Sequence, residues 1–84
     1  MRGLVDMKMY VVFTENTDDR LNDMWLVMAN DEEEAKANAI AEGEFESWGK
    51  YTATKVVFLR ESCASDTEAM KGAKAQYLYS WERE

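Results

Sequence analysis

Seven carboxylates, Glu15, Asp18, Asp19, Asp23, Glu42, Glu44 and Glu46, carry most of the chemical capacity of this 84-residue sequence. Paired acids can divide general-acid and general-base work, hold a divalent cation, or offer an anionic surface to a basic one. Catalysis by carboxylates alone needs one acid buried away from its neighbour, whereas these lie in polar runs that read as exposed. The sequence contains no histidine, so the commonest general base and metal ligand is absent and no histidine-based triad can be assembled. It also has no G-x-G-x-x-G, G-x-x-x-x-G-K or C-x-x-C. A calcium loop requires regularly spaced oxygen ligands, a glycine at the sharp turn and a closing glutamate, and the run from Asn16 to Asp23 lacks that glycine and spacing. Cys63 stands alone just ahead of a helix start, where a dipole could lower its thiol pKa, but an isolated cysteine reads as passive. No catalytic residue, metal-ligand set or cofactor is therefore expected, and the protein is read as a binder rather than an enzyme.

The elements that must position these acids follow from hydrophobic periodicity. Lys8 to Thr14 and Asp23 to Ala29 alternate as strands, joined across the polar run from Glu15 to Asn22 into an antiparallel hairpin. Asn30 is placed as an N-cap with Glu33 as its reciprocal partner, and the alanine-rich helix that follows is expected to stop at Gly43. Its small residues would let it lie close on a sheet. Tyr51 to Arg60 alternates as a third strand. Ser65 to Glu68 has the S-x-x-E pattern of a capping box, and Met70, Ala73, Tyr77, Leu78 and Trp81 follow at near-helical spacing. The expected fold is α+β, ββαβα, with two helices on a three-stranded, mainly antiparallel sheet in the order 2-1-3.

That topology brings the hairpin loop and the end of the first helix to one end of the sheet, gathering the seven acids there. Trp48, beside Phe45 in the connector after the helix, is the candidate anchor, because tryptophan is enriched among binding hot spots. Such a rim also serves simply to keep a protein soluble. The charge is nevertheless uneven: residues 1–46 hold twelve acids and four bases, a net of −8, while residues 47–84 hold five acids and six bases, a net of +1. A net charge of −7 disfavours direct binding to nucleic acid or to anionic membranes and favours a protein partner with a basic surface.

Length and composition bound the rest. A chain of 84 residues holds one core, so residues 1–84 are read as a single domain, with residues 1–7 as a flexible N-terminal arm and Met7 and Met9 as alternative starts. Such a core leaves only about 3–5 kcal/mol of net stability, and a homodimer or bound partner could add to it. The longest apolar runs, Met9 to Phe13 and Trp25 to Ala29, fall far short of the ~20 residues needed to cross a bilayer. The absence of an apolar leader after Arg2 and the single cysteine agree with a cytoplasmic protein.

From Tyr10 to Cys63 the order of elements, with the second strand M-W-L-V-M-A, the acidic helix N-D-E-E-E-A-K-A-N-A-I-A-E and the strand K-V-V-F-L-R-E-S-C, resembles small phage-encoded inhibitors of host machinery. That loose class includes an early inhibitor of host RNA polymerase and several anti-CRISPR and anti-restriction proteins of similar size and acidity. The resemblance implies a protein that occludes a basic, nucleic-acid-binding groove on a host enzyme. The segment from Ser65 to Glu84 is an addition to the polymerase-inhibitor layout.

Overall fold

Alternating β-branched and aromatic residues build β1 (Lys8–Asn16) and β2 (Leu21–Ala29), which pair antiparallel with Lys8 opposite Ala29 and Glu15 opposite Asn22. The computed structural model describes residues 7–18, 20–47 and 49–82. After the hairpin come α1 (Glu32–Ser47), β3 (Tyr51–Glu61), α2 (Ala64–Met70) and β4 (Ala75–Glu82). The class is α+β with two helices. The sheet, however, has four antiparallel strands among the described residues, in the order β3-β1-β2-β4. The expected three-stranded 2-1-3 sheet is corrected by the addition of β4 along the free edge of β2, and the chain reads ββαβαβ.

The long second helix fails for a local reason. Lys71 adopts φ 55° and Gly72 φ 82°, two successive residues of positive φ that end α2 after only 7 residues. An added Cβ on Gly72 would meet nothing, so its backbone angle and not its surroundings calls for glycine. Beyond that break, A-Q-Y-L-Y-S-W-E is rich in aromatics, which suit a pleated surface, and it pairs with β2 from Val27↔Ala75 to Leu21↔Glu82. Tyr77 and Trp81, expected on one helical stripe, fall on opposite faces of the sheet because the register slips by one residue at Leu78, between Trp25↔Tyr77 and Met24↔Tyr79.

Helix α1 begins one residue later than its sequence signal and runs past Gly43 to Ser47. Asp31, not Asn30, caps it: the Glu34 N–H donates to Asp31 Oδ1 at 2.8 Å, and Glu34 Oε1 accepts from the Asn30 N–H at 2.6 Å. The reciprocal partner is thus Glu34 in place of Glu33. Gly43 does not stop the helix. It lies buried within it, where a Cβ would come 3.1 Å from the Tyr51 ring, so its role is close approach to β3.

One face of the sheet packs under α1 through Tyr10, Val12, Trp25, Val27 and Ala29 against Ala35 and Ala39. Full burial of a Val-sized side chain contributes roughly 1.5–3 kcal/mol, so this layer is the principal source of stability. A smaller cluster of Met9, Met28 and Met70, with Met7 and Leu26 beside it, seats α2 on the opposite face. The expected N-terminal arm lies outside the described residues except for Met7, whose carbonyl accepts from the Ser62 N–H at 3.0 Å. No helix among the described residues is long and apolar enough to cross a membrane.

Candidate functional site

The hairpin turn and the connector after α1 meet at one end of the sheet. The Thr17 N–H donates to the Lys50 carbonyl at 2.7 Å, and the Thr17 hydroxyl donates to the same oxygen at 3.1 Å. Asn16 is buried beside Gly49, where an added Cβ would lie 2.6 Å from the Asn16 amide, and its Oδ1 accepts from the Asp18 N–H at 2.9 Å. The Asn16 side chain thereby fixes the turn that carries Asp18.

The predicted acids separate into three groups. Asp23 and Glu46 line one cavity of about 250 Å³ together with Leu21, Trp25, Tyr51, Tyr77 and Ser80. Glu42 joins them through Glu46: a hydrogen bond between the two side chains, with burial second, raises the Glu42 carboxyl above its ordinary pKa. Asp18 and Glu44 are exposed, Asp18 in the turn and Glu44 on the outer side of α1, because residues two apart on a helix do not share a face. Glu15 leaves the group, since it alternates with Phe13 on the face of the sheet opposite α1. Asp19 and Trp48 lie outside the described residues.

Asp23 is the least expected of these, a carboxylate only 6 % exposed. The Ser80 hydroxyl donates to it, and Ser80 in turn accepts from the Tyr77 hydroxyl at 2.8 Å. The one-residue slip in β4 makes this relay, because it turns Tyr77 and Ser80, three positions apart, toward the same face. Trp25 forms the floor. Its indole N–H donates to the buried Thr14 hydroxyl at 2.9 Å, and its ring meets Tyr51 and Tyr77 edge to face at centroid distances of 6.4 and 5.7 Å.

Sequence reasoning missed Tyr51, Tyr77 and Ser80 as site residues. The available signal was the alternation of aromatics after Gly72, which favours a strand over a helix. Elsewhere, Arg60 forms a two-pronged bond to Asp66 at 2.6 and 2.7 Å that holds the Asp66 carboxyl well below the usual carboxylate range. Asp66 accepts from the Cys63 N–H at 2.9 Å, so Cys63 is the N-cap of α2 and Asp66 its reciprocal partner, in place of the expected Ser65–Glu68 pair. Exposed Cys63 lies 3.0 Å from the Ser65 hydroxyl, and that hydrogen bond lowers its thiol pKa. Among the described residues no group of three or more acidic or thiol ligands could hold a metal ion.

Comparison of the chain with protein-family models, with curated proteins and with solved structures gave no match in any of the three.

Proposed function

We propose that this chain is a small acidic protein-binding inhibitor or regulator, of the phage-encoded kind it resembles, whose acidic surface occludes a basic, nucleic-acid-binding surface of a host or cellular enzyme. The observation that carries the reading is the outer surface of α1 and the adjoining turn. Glu32, Glu33, Glu44 and Glu46 are exposed along a helix about 24 Å long, the exposed Asp31 caps its start, and Asp18 in the adjoining turn adds to the same negative charge. Lys36 is the one base in α1, and it is paired with Glu33 at 2.9 Å. A negative surface of this length speeds association with a basic partner and makes the complex sensitive to salt. A cytoplasmic setting and the absence of catalytic chemistry belong to the same reading.

A second reading, an accessory subunit that assembles through apolar contact, is favoured by the sheet face opposite α1. Val11, Phe13, Met24, Leu26 and Val57 are only half-buried there and Tyr79 is exposed, although α2 covers one end. An apolar face of this kind also suits a homodimer.

Capture of partners from a host lysate on the immobilised protein, eluted by a salt gradient, separates the two. An occluding inhibitor should retain basic nucleic-acid enzymes and release them at moderate salt. Retention that persists or strengthens at high salt would remove the first reading and leave the apolar face as the binding surface.

A further inference from the structure

The cavity between the last turn of α1 and the β2–β4 ladder combines aromatic walls with two carboxylates, and among the described residues no lysine or arginine lines it. We propose that this cavity receives a single arginine side chain presented by a protein partner. The inference rests on the reading of the acidic surface as one that meets a basic partner, and it adds a defined receptor to that surface.

Size and chemistry select the occupant. At about 250 Å³ the cavity falls below the 300–1,000 Å³ typical of pockets for drug-sized ligands, so it suits one side chain rather than a nucleotide or cofactor. Two carboxylates exclude phosphates and other anions. A neutral apolar group would desolvate Asp23 and Glu46 without compensation. A bare metal ion would want more oxygen ligands than the lining supplies and would gain nothing from Trp25, Tyr51 and Tyr77. A cation with an apolar, planar body matches both kinds of wall. Guanidinium lies flat against an aromatic ring while its edge N–H groups reach a carboxylate, whereas the lysine ammonium is a strongly hydrated point charge.

The acceptors are held in advance of any ligand. Ser80 orients the Asp23 carboxylate and is itself oriented by Tyr77, while Thr14 pins the Trp25 indole. The opposite wall is poised in another sense. Glu46 is hydrogen-bonded to Glu42 one turn back and also repels its charge, and a cation beside Glu46 would favour the fully ionised pair.

The test uses the full chain, uniformly labelled with ¹⁵N, and short peptides that differ only at a central arginine, lysine or citrulline. The Trp25 indole N–H and the Tyr77 and Ser80 amides are the reporters. The arginine peptide should shift them saturably, and the neutral citrulline peptide should bind at least about tenfold more weakly. Glu46→Gln, at an exposed helical position, should fold normally and weaken the arginine peptide by about threefold or more. Tyr77→Phe keeps the ring but breaks the relay to Asp23 and should also weaken it, while a Tyr77→Ala protein that retains a dispersed spectrum should lose the effect. Equal binding of arginine and citrulline, or indifference to Glu46→Gln, would overturn the proposal. An arginine-rich peptide that binds with steep salt dependence while the Trp25 indole stays unmoved would overturn the receptor and leave the acidic surface standing. Failure of arginine-rich peptides to bind anywhere would overturn both.

Discussion

Asp23 and Glu42 show how position changes what a carboxylate does. In the sequence both belong to a dispersed set of surface acids, but Asp23 faces inward from β2 beside Trp25 and Glu42 is held against Glu46 one helical turn on. The sequence contained the residue types, while their separation depended on which face of each strand lay under α1. Glu15, one face away, illustrates the same rule. Glu42 also yields a pH dependence. Its folded-state pKa is raised, so the native state binds its proton more tightly than the unfolded chain and stability falls as pH climbs from the ordinary carboxylate value through the raised one. The penalty persists at neutral pH. Glu42→Gln imitates the protonated side chain, which can donate to Glu46, and should melt higher than the parent at pH 7. That advantage should shrink to nothing as pH falls below the ordinary carboxylate range, and a variant no more stable at pH 7 would remove the account.

At the scale of elements, the hairpin and β3 were legible from periodicity and α1 from its capping residues and alanine run, and what escaped was the chain after Met70. Tyr77 and Trp81 are four apart, as on a helix, and that spacing competes with the alternation Tyr77, Tyr79, Trp81 of a strand. The positive-φ pair Lys71 and Gly72 decides the competition, and the free edge of β2 gives the segment a partner that local sequence cannot reveal. Register slips in the outer strands complete the picture. β3 has irregularities between Met9 and Tyr10 and between Phe13 and Thr14 of its partner, and β4 has one at Leu78, so both sheet edges depart from the flat ladder that invites further strands. Gly43 was read as a helix stop because glycine usually marks one, whereas here it admits Tyr51. Alanine in a helix interior ordinarily stabilises by about 1 kcal/mol relative to glycine. At this position the added methyl would lie 3.1 Å from three atoms of a ring already set against Trp25, so Gly43→Ala should destabilise by about 1 kcal/mol in urea unfolding. A stabilised variant would show that Tyr51 moves freely.

The whole molecule is two-sided. One side is the acidic helix, and the other is a sheet face where Val11, Phe13, Met24, Leu26 and Val57 are half-buried, with Lys55 set over the Phe13 ring at 5.9 Å and Tyr79 stacked on Trp81. The uneven charge along the sequence, −8 in residues 1–46 against +1 in the remainder, becomes an uneven charge in space because α1 and the hairpin turn carry most of it. If that side binds a basic surface, removing its charge should weaken binding without harming the fold. Asp18 and Glu44 are both exposed, and neither lines the cavity, so reversing the pair to lysine tests the field apart from the receptor. Captured partner should bind at least about tenfold more weakly, a change of roughly 1.4 kcal/mol, chiefly through slower association. Thermal stability should hold or rise as self-repulsion falls. The matched control is reversal of Glu61 and Glu68, also exposed, where Glu61 stands opposite Lys8 at the far end of β1 from the hairpin turn. That pair should change association little. Equal losses from both pairs would mean that net charge alone matters, and no loss from either would transfer the binding role to the apolar sheet face.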